Sequence, residues 1–170
     1  PVFTTVGMKK LIAGNNSLRD IEGIEALTAL EELDLSHNSI ASISDLSACT
    51  ALTTLDISNN KISSISVISG FVNLAQLNFA YNSVTEIPTL SKESVLANIN
   101  GSHNNIRKLS ALKGLRYLRV VNMEYNKNLS SLSDLSSCPV LMQVDVYGTR
   151  VKSASSLTSQ GVVVNYNPVG

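Results

Sequence analysis

Thirteen basic residues balance thirteen acidic ones in a chain of 170 residues, of which 15% are charged. That balance argues against a nucleic-acid partner, which calls for a strong basic excess. The absence of any run of about 20 apolar residues argues against membrane insertion, and the length is that of one domain.

From Met8 onward the chain repeats a frame. In residues 8–29, Met8, Leu11 and Ala13 alternate with polar residues, Asn16 follows, and Leu18, Ile21 and Ile24 come after it. Ile12 points to the opposite face from Leu11 and Ala13. Residues 1–7 precede the frame as a flank. Val2 falls where the last apolar residue of an earlier copy would lie, so the array is expected to begin upstream or to use residues 1–7 as a makeshift cap. Pro1 and Gly170 read as trimmed ends, so a longer parent protein is expected.

Residues 30–73 follow the frame most closely. Leu30, Leu33, Leu35, Asn38, Ile40, Ile43 and Leu46 return 22 positions later as Leu52, Leu55, Ile57, Asn60, Ile62, Ile65 and Ile68. A period of this length is the signature of a repeat array. The alternation at Leu33 and Leu35 predicts a short strand with one buried face. Ser44 or Asp45, and their counterparts Ser133 or Asp134, are candidates to cap a helical turn.

Residues 74–95 put Phe79 in the core and Pro88 in the outer return. In the fifth copy Gly101 stands where a leucine belongs, leaving room beside Phe79 and Met123. Arg107, Lys108, Lys113, Arg116 and Arg119 read as a solvated outer ridge. The sixth copy, residues 118–140, gains a residue at Lys127–Asn128, so Leu129, Leu132 and Leu135 take the core places and a bulge is expected after the strand. The seventh, 141–160, carries Thr149 in place of asparagine. Residues 161–170 read as a closing strand of a truncated eighth copy, with Asn167 in the asparagine place and Tyr166 before it.

Asn16, Asn38, Asn60, Asn82, Asn104 and Asn126 therefore lie in strict register, 22 apart. An amide offers both donor and acceptor, so this row is expected to be structural, bonding buried backbone where the chain turns inward. Cys49 and Cys138 occupy equivalent core places four repeats apart. At about 4.8 Å per repeat that is too far for a disulfide, so two free, buried thiols are expected.

The pattern L-x-x-L-x-L-x-x-N-x-I/L-x-x-I/L resembles the leucine-rich repeat, over residues 8 to 167. The 22-residue length resembles the bacterial internalins and the eukaryotic leucine-rich regulators of protein phosphatase. The resemblance implies an α/β-type solenoid: a horseshoe with a parallel β-sheet on its concave face and 3₁₀ or short helical turns on its convex face. Residues 1–170 are then one such domain, with seven repeats at about 8–160.

Function is expected on the concave face. Before each asparagine stand His37, Asn59, Tyr81, His103 and Tyr125, with Tyr166 in the closing strand. Asp34, Asp56, Asn78, Asn100, Asn122 and Asp145 form a second row. Tyr81, His103, Asn122, Glu124, Tyr125, Asp145 and Tyr147 make the expected ligand-binding patch, since interface energy concentrates in such aromatics. Asp34, Ser36 and His37 alternate along a strand on an open face and do not form a triad. No glycine-rich phosphate loop or metal-ligand spacing is present, so no enzyme activity, cofactor or metal is expected. The reading is a monomeric module that binds a protein ligand. Resemblance to internalins implies a bacterial surface or secreted protein. The alternatives are a cytoplasmic scaffold or regulatory subunit, as the phosphatase regulators imply, and a spacer without a ligand.

Overall fold

Two inward-facing apolar residues separated by one polar residue make a strand too short to stand alone, so each copy must borrow its neighbours. The computed structural model describes residues 7–167. Eight three-residue strands run β1 (Lys10–Ile12), β2 (Glu32–Asp34), β3 (Thr54–Asp56), β4 (Gln76–Asn78), β5 (Asn98–Asn100), β6 (Val120–Asn122), β7 (Gln143–Asp145) and β8 (Val163–Asn165). All pair in parallel with their sequence neighbours, in the order β1 to β8. One column of the register reads Leu11, Leu33, Leu55, Leu77, Ile99, Val121, Val144, Val164.

Returns on the convex side are short. 3₁₀ turns span Ile24–Ala26, Ser44–Ala48, Ser66–Gly70, Ser110–Leu112 and Ser133–Ser137, and one helical turn, α1, spans Ser155–Thr158. The length of each repeat allows no more: a strand, two direction changes and a return must all fit. Leu30, Leu33, Leu35, Ile40, Ile43 and Leu46 are all buried, as are their counterparts in the third repeat. Each such side chain contributes about 1.5–3 kcal/mol relative to exposure.

The expected caps do not form. Neither Ser44 nor Asp45, and neither Ser133 nor Asp134, bonds the start of its turn; the cap residues are Ile43 and Leu132. The serine two places earlier acts instead. The N–H of Ser44 donates to Ser42 Oγ at 3.3 Å and that of Ser133 to Ser131 Oγ at 3.2 Å. Ser64–Ser66 and Ser153–Ser155 repeat the arrangement. The signal in the sequence is a Ser-x-Ser pair, one residue before the place the usual capping rule names.

The extra residue of repeat six forms a turn at Lys127–Asn128, where the Leu129 N–H donates to Asn126 O at 3.0 Å. No bulge appears, and β6 and β7 stay in register from Val120↔Gln143 to Asn122↔Asp145. Leu129, Leu132 and Leu135 are buried as the slipped frame requires.

The closing strand is shorter than expected and differently phased. β8 covers Val163–Asn165, and Asn165 lies opposite Asp145. Tyr166 therefore follows β8 as Val146 follows β7. It packs against the core half-buried, rather than standing before an asparagine on the concave face. Of the segments read as cap and closing strand, residues 1–6 and 168–170 lie outside the described residues.

Candidate functional site: an aromatic ladder on the concave face

At the end of each strand the chain must swing inward, and one residue takes the left-handed conformation to do it. Asn15, His37, Asn59, Tyr81, His103 and Tyr125 have φ between 53° and 56°. Such backbone costs a residue with a side chain about 1–2 kcal/mol. The next residue is the ladder asparagine, which holds the turn. Asn104 Nδ2 reaches Phe79 O at 3.0 Å in the preceding repeat and Gly101 O at 3.2 Å in its own. Its Oδ1 accepts the Val84 N–H at 2.8 Å. Asn38, Asn60, Asn82 and Asn126 do the same. Asn16 is exposed and bonds within its own repeat, to Ala13 O and Gly14 O.

Identical backbone geometry repeated at strand spacing aims successive side chains the same way. The rings of Tyr81 and His103 stack with centroids 4.0 Å apart, and those of His103 and Tyr125 at 4.3 Å. Tyr147 adds an edge contact to Tyr125 at 5.8 Å. Stacked and edge-on ring pairs of this kind each contribute about 0.5–1.5 kcal/mol beyond burial. The row begins more loosely, with Asn59 Nδ2 and His37 Nε2 at 3.4 Å.

Gly148 explains the change of geometry at Tyr147. It takes the left-handed place in repeat seven, with φ at 72°, and a Cβ there would lie 2.7 Å from Tyr125 Cδ1. Tyr125 leans into that space, and Tyr147 stands at the place Glu124 holds one repeat earlier. Tyr81, Tyr125 and Tyr147 remain 51%, 40% and 51% exposed, so the ladder presents ring edges to solvent.

The second row has a structural task that residue type alone did not reveal. Asp34, Asp56, Asn78, Asn100 and Asn122 each accept, through Oδ1, the N–H two residues on. This Asx turn starts the swing that the left-handed residue completes. Asp145 is held laterally instead, by Gln143 Nε2 at 2.8 Å and Asn165 Nδ2 at 2.5 Å. Asn122 Nδ2 reaches Glu124 Oε2 at 3.4 Å. All seven patch residues thus lie at the concave face of repeats four to seven, but Asn122 and Asp145 already have internal partners. Over the middle strands lies a shallow concavity of about 420 Å³, floored by Gln76, Asn78, Asn98, Asn100 and Asn122 with Asp56 and Asp145 toward its ends.

Sequence reading missed a set of exposed apolar residues at and just ahead of the starts of the last three strands. Tyr117, Val140, Met142 and Val163 are all exposed, Met142 by 60%. The signal was present: Met142 and Arg119 stand where Ala75 and Ala97 do in earlier repeats. Among the described residues no three His, Cys, Asp or Glu side chains group as a metal site, and no helix is long and apolar enough to cross a membrane.

A family model for leucine-rich repeats, in two copies, matches residues 7–48 and 50–92, half of the chain. By sequence, no curated protein matches. Among solved structures, a leucine-rich repeat protein of Leptospira interrogans is 20% identical with a TM-score of 0.83, over 95% of this chain and 43% of that one. The functional domain of InlJ from Listeria monocytogenes is 22% identical with a TM-score of 0.80, over 95% of this chain and 36% of that one. Internalin C2 of Listeria monocytogenes is 24% identical with a TM-score of 0.72, over 93% and 80%. The superpositions show a shared fold. The chain spans less than half the length of the first two.

Proposed function

Since the chain belongs to the leucine-rich repeat family, whose domains are typically non-enzymatic modules that bind protein partners, we propose that it recognises a protein ligand through its concave face. The observation that carries this reading is the ring ladder Tyr81–His103–Tyr125–Tyr147. Three of the rings, Tyr81, His103 and Tyr125, are held by repeated left-handed turns and the fourth packs edge-on against them, so they are ordered before a partner arrives and binding forfeits little side-chain entropy. Exposed, rigid tyrosines are the side chains in which interface energy concentrates. Glu124 and Asp145 beside them give the patch a negative rim, suited to a partner with basic groups.

We extend the proposal to a monomeric, internalin-like module of a bacterial surface or secreted protein, as the resemblance of its repeats implies. The domain is taken as residues 1–170 with seven repeats. A cytoplasmic scaffold is the competing reading. Antibody labelling of intact cells against permeabilised controls separates the two.

The test of the site uses the same cells' binding partners. Purified protein and a Tyr81→Ala/Tyr125→Ala/Tyr147→Ala variant are immobilised, and eluates are compared by mass spectrometry. The proposal expects a protein retained by the first and lost by the second, with a thermal melt showing the variant still folded at the binding temperature. A partner retained equally by both sinks the concave-face reading. A module that retains nothing is the spacer.

A further inference from the structure

The sequence carries nine of its thirteen basic residues after residue 90, and the fold brings five of these onto one flank. In repeats five to seven, Glu124 and Asp145 sit on the concave side, and the third carboxylate, Asp134, lies in the convex turn Ser133–Ser137. On the flank that climbs from each asparagine toward the convex side stand Arg107, Lys108, Lys127, Arg150 and Lys152, all exposed. Among the described residues no carboxylate pairs with any of them. The two ion pairs among the described residues, Lys9–Glu31 and Lys10–Glu32, lie at the other end of the coil. Like charges fixed on one side of a rigid coil repel each other and raise the local concentration of anions.

Two clefts open on this flank. One, of about 450 Å³, lies between repeats six and seven and is lined by Arg150 and Lys152 with Ser130, Ser131, Ser133 and Ser153; its lining holds no carboxylate. The other, of about 660 Å³, lies between repeats four and five, where Pro88 replaces a helical turn. Arg107, Lys108 and Ser110 line it together with Glu86.

The serines of the first cleft are already ordered. Ser131 Oγ and Ser133 Oγ are 3.0 Å apart, and Ser131 Oγ also accepts the Ser133 N–H. One of the two hydroxyl hydrogens fills the contact between them, which leaves the other to donate outward. Ser153, which also lines the cleft, pairs in the same way with Ser155 just outside it. Guanidinium and ammonium groups bind tetrahedral and planar oxyanions, and hydroxyls beside them suit a ligand that carries both oxyanions and hydroxyls. Stacking on nucleobases needs exposed aromatics. The exposed tyrosines lie on the concave face and, at Tyr117, just ahead of β6.

We infer that this flank binds a linear sulfated polysaccharide: its sulfates pair with Arg107, Lys108, Lys127, Arg150 and Lys152, and its hydroxyls bond the Ser131–Ser133 and Ser153–Ser155 pairs. The site is separate from the concave face and does not depend on a protein ligand being bound there.

The test is titration of the purified chain with a fluorescent heparin-derived octasaccharide at low salt, repeated at physiological salt. Arg150→Glu/Lys152→Glu is the first variant and Arg107→Glu/Lys108→Glu the second. Lys61→Glu/Lys92→Glu, on earlier repeats, is the charge-matched control. All positions are exposed, and a thermal melt of each checks folding. The inference expects measurable binding that weakens with salt, at least about a tenfold loss in each flank variant, and less than about a twofold change in the control. Absence of binding at low salt overturns it, as does an equal loss in the control. A single-stranded DNA of equal charge that binds as tightly also overturns it, since the flank would then be a polycation without glycan chemistry.

Discussion

The ring of Phe79 occupies the space that a side chain at Gly101 would need. A Cβ built at Gly101 meets Phe79 Cζ and lies 2.8 Å from Cε2, with Met123 Sδ at 3.0 Å on the far side. The room that the missing leucine leaves in repeat five is therefore filled from repeats four and six, and Phe79 is fully buried.

Gly101→Ala is thus expected to overpack the core and destabilise the protein by about 1–3 kcal/mol. Phe79→Leu makes room, so the double variant should lose less than the sum of the two single changes. Urea unfolding of the four proteins measures that coupling; strict additivity would mean the two positions do not compete for one space.

Asn104→Ala removes an amide that serves Val84 N–H, Phe79 O and Gly101 O at a buried turn. Leaving those groups short of partners should cost about 2–4 kcal/mol. Asn16→Ala, at an exposed turn with bonds only inside its own repeat, should cost less than about 1 kcal/mol. Equal costs in chemical denaturation would contradict a ladder that gains its strength between repeats.

Burial pushes the thiols of Cys49 and Cys138 up, the charge of Glu25 adding to this at Cys49, while the backbone N–H groups of Gly114 and Leu115 pull the other way at Cys138. Both thiols are free, and they donate to Ile24 O and Leu112 O. In the unfolded chain a thiol ionises near about 8.5. The stability that the raised folded values contribute is therefore complete below that pH and is lost as pH rises through the folded values. The wild type should lose stability between pH 7 and pH 10 relative to Cys49→Ala/Cys138→Ala, narrowing the gap between them. Both cysteines should also react slowly with an aromatic disulfide reagent until denaturant is added.

Gly148→Ala places a methyl group on left-handed backbone and against Tyr125. A loss of about 1–2 kcal/mol is expected, along with a change in the near-ultraviolet circular dichroism of the stacked rings. Tyr125→Ala should relieve the clash but not the backbone cost. If Gly148→Ala leaves the aromatic signal untouched, the ring of Tyr125 does not rest where described.

How much of this was legible differs residue by residue. Leu33, Asn38 and Cys49 could be read because each is one instance of a place filled many times, and repetition turns a weak local signal into a strong one. The row His37, Tyr81, His103, Tyr125 was visible as a column of letters. That its members stack was not, because stacking follows from a φ near 55° that no residue type at those positions demands. Asp34 and Asn122 looked like free surface and prove to hold the turn. Tyr166 was misassigned because Val162 and Val164 read as the two inward residues of the last strand, whereas Val164 pairs with Val144 and Tyr166 therefore corresponds to Val146.

The sequence by itself determined the solenoid. A frame of buried leucines, isoleucines and asparagines can bury its apolar side chains only by stacking copies of itself, so period and fold are one statement. The tertiary structure alone decided which surface residues meet. Side chains 22 positions apart become neighbours across β-strand pairs. Their mutual angles, the concave grouping of Tyr81, His103, Tyr125 and Tyr147, and the gathering of basic residues on one flank depend on how each turn leaves the sheet. The frame fixes what is buried and leaves each repeat free in what it shows to solvent.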